Sequence, residues 1–143
     1  MRSKAPLALM EQMIMVLVFA LAAALCLRAF AAADALSREK EARDRAITEG
    51  QSMAEIYKSA AGDAPLAAAR YGGRAGTEGW VCLFDGAWAL TGDPGEAVYR
   101  LEVVPQAGEP GLGTAQVSGT RVKDGLSLFS FPVAWQEEVD AHE

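Results

Sequence analysis

The stretch from Leu7 to Leu27 constrains this chain more than any other: it reads LALMEQMIMVLVFALAAALCL, apolar throughout except for Glu11 and Gln12. A helix rises ~1.5 Å per residue, so about 20 such residues match the ~30 Å hydrocarbon core of a bilayer. Backbone amides find no water in that core, which makes helix the only form open to a single lipid-exposed segment. The run therefore predicts a transmembrane helix over residues 7-28, preceded by a basic leader over 1-6 that carries Arg2 and Lys4.

Glu11 is the exception to explain. A carboxylate at the centre of a spanning helix costs roughly 2.5 to 3.5 kcal/mol on insertion scales, and less toward an interface. Two readings stand. One turn inside the run, the side chain can reach the headgroup layer at small cost. Alternatively, it meets a positive partner within the membrane, supplied by another copy or a related subunit.

The leader Met1-Arg2-Ser3-Lys4-Ala5-Pro6 ends where the apolar run begins, and Glu11 is the fifth residue counting from Leu7. This order resembles the N-terminus of the type IV pilin and type II secretion pseudopilin superfamily. The resemblance implies cleavage at the Pro6-Leu7 junction by a prepilin peptidase. It also implies that Glu11 neutralises the new terminal amine of a neighbouring subunit and so sets register. Filament assembly through the N-terminal helices, on a platform protein, would follow, with a cytoplasmic N-terminus and an extracytoplasmic head. Two positions depart from the family pattern: Pro6 stands where glycine is usual, and Leu7 where an aromatic residue or Met is common. Proline fixes its own φ and lacks an amide hydrogen, so a peptidase meets a different substrate here. An uncut leader would leave Glu11 without its amine, and the protein as a permanent anchor or an initiating or minor subunit.

At 143 residues the chain has room for one modest domain beside the membrane segment. Its formal net charge of -6 leaves no basic excess to displace phosphate counterions, so nucleic acid is not an expected partner; membrane lipid is. Cys26 and Cys82 fall in the apolar run and in an expected strand, an unpromising pair for a disulfide, and read as small buried hydrophobes. His142, the one histidine, lies in the tail. No metal site and no cofactor is expected.

The N-terminus also has features of an ordinary secretory signal. Ala31-Ala32-Ala33 before Asp34 offers small residues to a signal peptidase, but the apolar run exceeds the roughly 7 to 15 residues usual for such signals. A secreted or membrane-anchored binding module that never polymerises is thus the alternative. A lipoprotein anchor at Cys26 is weaker, because Leu25 replaces the small residue required before it. Arg28, Arg38, Lys40, Arg43 and Arg45 follow the span, so counting basic residues does not by itself fix the topology.

No proline occurs between Pro6 and Pro65, and helix formers dominate to Lys58, so one helix is expected to continue over 29-59 beyond the membrane. Its neck is charged, with Glu39-Arg43 and Glu41-Arg45 spaced for ion pairs; farther on, Ile47, Met53, Ala54, Ile56 and Tyr57 form an apolar face. A loop over 60-79 follows, with a helical turn from Pro65 to Arg70 stopped by Gly72-Gly73. After Gly79 the hydrophobic period changes to two. Strands are expected at 80-84, 87-91, 98-104, 114-122 and 126-135, with a hairpin at Asp85-Gly86 and Pro132 marking an edge or an irregularity. An acidic tail closes the chain over 136-143. The expected fold is α+β: a long N-terminal helix, transmembrane then amphipathic, packed on a small antiparallel β-sheet head over 80-135, as in pilins. Met53, Ile56 and Tyr57 should meet Leu101, Val103, Leu128 and Phe131 across that interface.

No catalytic residue is expected: no nucleophile has a plausible histidine base, and Asp85, Asp93 and Asp124 sit in turn contexts. Trp80, Trp88 and Trp135 could form a carbohydrate or peptide platform, although sheet packing is the commoner role for strand tryptophans. The function implied is structural, a minor pilin or pseudopilin-like subunit of a type IV pilus, competence or type II secretion-like filament.

Overall fold

The computed structural model describes residues 5–137; Arg2 and Lys4 of the leader and His142 of the tail lie outside the described residues. The chain divides into two compact units, Met1–Glu41 and Ala42–Glu143. Helix α1 runs over Ala5–Ser59, 55 residues without interruption. Pro6 lies in its first turn, where a missing amide hydrogen costs no intrahelical bond. Helix α2, Ala64–Tyr71, is capped by Asp63, whose Oδ1 accepts the Leu66 amide at 2.9 Å, and it stops at Gly72 with φ 111°.

Five strands follow: β1 Arg74–Gly76, β2 Gly79–Phe84, β3 Tyr99–Gln106, β4 Leu112–Arg121 and β5 Ser127–Gln136. They pair antiparallel in sequence order, a meander in which every strand bonds its chain neighbour. All but one of the closures are short, the exception being the β2–β3 connection from Asp85 to Val98, and short closures cost little loop entropy. The helix-plus-antiparallel-sheet architecture is the one expected from the sequence, and Pro132 does lie on an edge strand, β5.

Two strand expectations fail, for local reasons. Ala87 to Thr91 is no strand: Asp85 Oδ1 accepts the amides of both Ala87 (2.8 Å) and Ala89 (2.9 Å), and Trp88 takes φ 63°. The side chain thus curls the segment that an extended hairpin would need, and a single bridge, Phe84 to Leu90, is left. Conversely, Arg74–Gly76, expected as loop, pairs with Gly79–Val81 as β1. The expected ion pairs also regroup. Arg45 reaches Glu49 (3.3 Å) rather than Glu41, and Arg38 reaches Asp34 (2.9 Å).

In the second unit, the last third of α1 lies on one face of the sheet. Met53, Tyr57, Trp80, Cys82, Phe84, Leu101, Val103, Val117, Leu128 and Phe129 form its core, with Ile56 and Phe131 partly buried against them. Leu128 is the extra residue of a β-bulge, since Phe129 pairs with Gly119 but Ser127 with Thr120; two successive side chains therefore enter the core.

Glycine makes room for the β5 aromatics. A Cβ built on Gly50 of α1, or on Gly119 of β4, would lie only 2.4 Å from a carbon of the Phe129 ring. Six residues farther along β5, Trp135 lies in the same way against Gly113 of β4 and Gly62 beyond α1. Helix and sheet thus approach through ring-on-backbone contacts. Gly50, which lowers intrinsic helix propensity by about 1 kcal/mol relative to alanine, leaves the space that the Phe129 ring occupies.

A polar clamp ties α1 to α2. Tyr71 Oη donates to Glu49 Oε2 at 2.6 Å, while Trp80 Nε1 donates to the Gly72 carbonyl at 2.8 Å. Burial, then the Glu49 carboxylate, pushes the Tyr71 phenol above its ordinary value.

Candidate functional site: the N-terminal helix

Between Leu7 and Leu36 every large apolar side chain of α1 is exposed, from 55% to 76%. Leucine, methionine, valine and phenylalanine point in all directions, so no rotation about the helix axis could bury them against one sheet. A helix apolar all round needs an apolar surrounding on every side. This segment is long and apolar enough to cross a membrane, and none of its most apolar window is covered by the protein.

Glu11 is exposed and makes no hydrogen bond or ion pair with a described residue. Pro6 and Leu7 are exposed in the first turn, five and four residues before it. Helical geometry puts Leu7 and Glu11 on one face, one turn apart. The three residues singled out in the sequence are therefore brought together at one end of a helix, as linear neighbours rather than through folding. Cys26, on the same helix, is exposed and free.

The second unit carries a different chemistry. Cys82 is free and fully buried, and burial pushes its thiol up to about 12. Such a thiol is inert packing rather than a nucleophile. No group of three His, Cys, Asp or Glu side chains among the described residues could hold a metal ion. The three tryptophans do not form one platform. Trp80 is core, Trp88 stacks on Tyr99 at 4.1 Å, and Trp135 meets Tyr57 edge-to-face at 5.4 Å. The Tyr57–Trp135 corner was not legible in the sequence, since the two residues meet only through the register of β5. In comparisons with known proteins no family model matches the chain, nor does any curated protein or solved structure.

Proposed function

We propose that this protein is a membrane-anchored structural subunit of the pilin-like kind, built into a filament through its N-terminal helix. One observation carries the reading: a single continuous helix changes from a run that is apolar on all sides but for Glu11 and Gln12, over Leu7 to Leu27, to one-sided burial against a sheet from Ala46 onward. The first part asks for lipid or other apolar helices; the second supplies a folded head. Lipid satisfies the first part while the subunit is stored in the membrane, and neighbouring helices satisfy it in a filament. Glu11, one turn from Leu7, would then take the positive terminus of an adjacent protomer as its partner. A charge-assisted bond in low dielectric is strong enough to select a single axial register. The role is structural and involves no chemistry on a substrate.

The alternative is a secreted or membrane-anchored binding module that does not polymerise, whose secreted form would begin at Asp34, in the stretch where helix α1 runs through Ala31 to Asp34.

The test is assembly in cells that make pilin-type filaments, with the N-terminus of the mature product sequenced. A start at Leu7 would support the processed pilin-like subunit and an intact Met1 a permanent anchor, and Glu11→Ala should insert into the membrane normally yet be lost from sheared filaments. Unchanged incorporation of Glu11→Ala would remove the register role, and a start at Asp34 would remove the anchor.

A further inference from the structure

The two edges of the sheet are built differently. Strand β1 at one edge is three residues long, whereas β5 at the other is ten, Ser127–Gln136. A long edge offers a row of unpaired amides and carbonyls to another strand, and native proteins blunt it with charge, a cover, a bulge or proline. Charge is missing here: from Leu126 to Gln136 the chain has no Asp, Glu, Lys or Arg, while Phe129, Phe131, Val133 and Trp135 favour extended backbone. An uncharged segment of this composition has the character of sequences that stack edge to edge. Nor is the edge covered, since Ser130, Pro132, Ala134 and Gln136 are all exposed. The bulge at Leu128 disrupts only its beginning.

Pro132 stands in the middle of what is left, and the pairing of β5 with β4 fixes which way its nitrogen points. It lies opposite Gln116, within a run of pairs that continues on both sides, Val117 with Phe131 and Ala115 with Val133. In an antiparallel ladder, pairs that exchange two hydrogen bonds alternate with pairs that exchange none. A residue without an amide hydrogen belongs to the second kind. Phe131 and Val133 therefore bond to β4, and the backbone of Ser130, Pro132 and Ala134 turns to the open edge. Two such edges laid antiparallel lose one bond at each proline in their overlap. Where the prolines fall opposite one another, carbonyl faces carbonyl.

From this arrangement we propose that Pro132 is a guard: it keeps the β5 edge of one copy from pairing with the β5 edge of a second, and leaves any self-association to other surfaces. The guard acts within the second unit and holds whether or not the chain polymerises through α1.

The experiment measures amide hydrogen exchange by NMR over a concentration series, on the full-length chain with enough detergent that each micelle holds a single copy. In the parent, the Ser130 and Ala134 amides should exchange fast at every concentration, and those of Phe131 and Val133 slowly. Pro132→Thr restores the missing amide on an uncharged edge. It should associate about thirtyfold more strongly than the parent, the scale of two regained backbone hydrogen bonds, and protect Ser130 and Ala134 as concentration rises. Pro132→Lys restores the same amide but sets a charge on the edge, and should behave like the parent. The proposal is overturned if Pro132→Thr associates no more than the parent, or if Pro132→Lys associates as strongly as Pro132→Thr. Slow exchange of Ser130 and Ala134 in the parent would overturn it too, since the edge would then be occupied. So would loss of Phe131 and Val133 protection in both variants, which would make Pro132 a requirement of the fold instead of a guard.

Discussion

Two parts of the same helix follow opposite rules. From Leu7 to Leu36, α1 exposes every large apolar side chain; from Ala46 to its end it hides Ala46, Met53, Ala54 and Tyr57 almost completely. Backbone geometry is the same in both, so the difference lies in side chains alone. The first part surrounds its axis with leucine, methionine and valine, whereas the second alternates an apolar face with Glu49, Glu55 and Lys58. One needs a medium, and the other needs a partner surface that the chain itself provides. Within one helix, then, a segment whose apolar surface has no partner in the chain precedes a segment whose partner is the sheet.

The sharpest way to break the comparison is to remove its first half. A chain beginning at Asp34 should stay in solution without detergent, and the full chain should sediment with membranes. Equal partitioning of the two would mean that the exposed apolar surface has no consequence.

The second half is tested by overpacking it. Gly50→Ala adds a methyl group where Phe129 already stands. Alanine's better helix propensity favours the variant by about 1 kcal/mol, but overpacking costs typically 1–3 kcal/mol, so net destabilisation in urea is expected. Combining it with Phe129→Leu should recover part of the loss. A stabilised single variant would show that α1 does not press on β5 as described.

Smaller effects come from the polar clamp. Tyr71→Phe should cost about 1 to 2 kcal/mol, because Glu49 loses a short bond while keeping Arg45. Denaturant midpoints would measure it, and no change would leave the clamp without energetic weight.

The smallest effect is confined to alkaline solution. The Cys82 thiol titrates near 9 when exposed and at about 12 in the fold. The folded state keeps a proton that the unfolded chain releases, so its contribution is whole below pH 9 and is lost as pH rises toward 12. Tyr71, raised likewise, adds to the same decline. In Cys82→Ala the fall in stability above pH 9 should be shallower than in the parent, as thermal melts across that range would show.

These contrasts also mark what the sequence made legible. Helix α1 could be read because propensity and the absence of proline act locally, and β2 to β5 because alternation reports which face is buried. Strand β1 could not: Arg74, Ala75 and Gly76 carry no alternation, and they are strand only because Gly79–Val81 folds back on them. The expected strand after Asp85 was lost to one carboxylate that satisfies two amides. The glycine seats and the Tyr57–Trp135 corner depend on which residues face each other across β4 and β5, a long-range register that no window of sequence contains. Glu11, Pro6 and Leu7, by contrast, are near one another in the sequence itself, so no long-range register is needed to bring them together.

The most direct test compares three thiols in open membrane fragments, using a chain in which Cys26→Ala has removed the native membrane cysteine. Ala20→Cys places a thiol mid-way along the apolar run, Glu39→Cys places one in the charged neck, and native Cys82 reports the core. With a membrane-impermeant maleimide, position 39 should label readily, whereas position 20 and Cys82 should stay silent until SDS is added. Labelling at position 20 as fast as at position 39, in membrane-bound protein, would contradict a lipid-embedded first half.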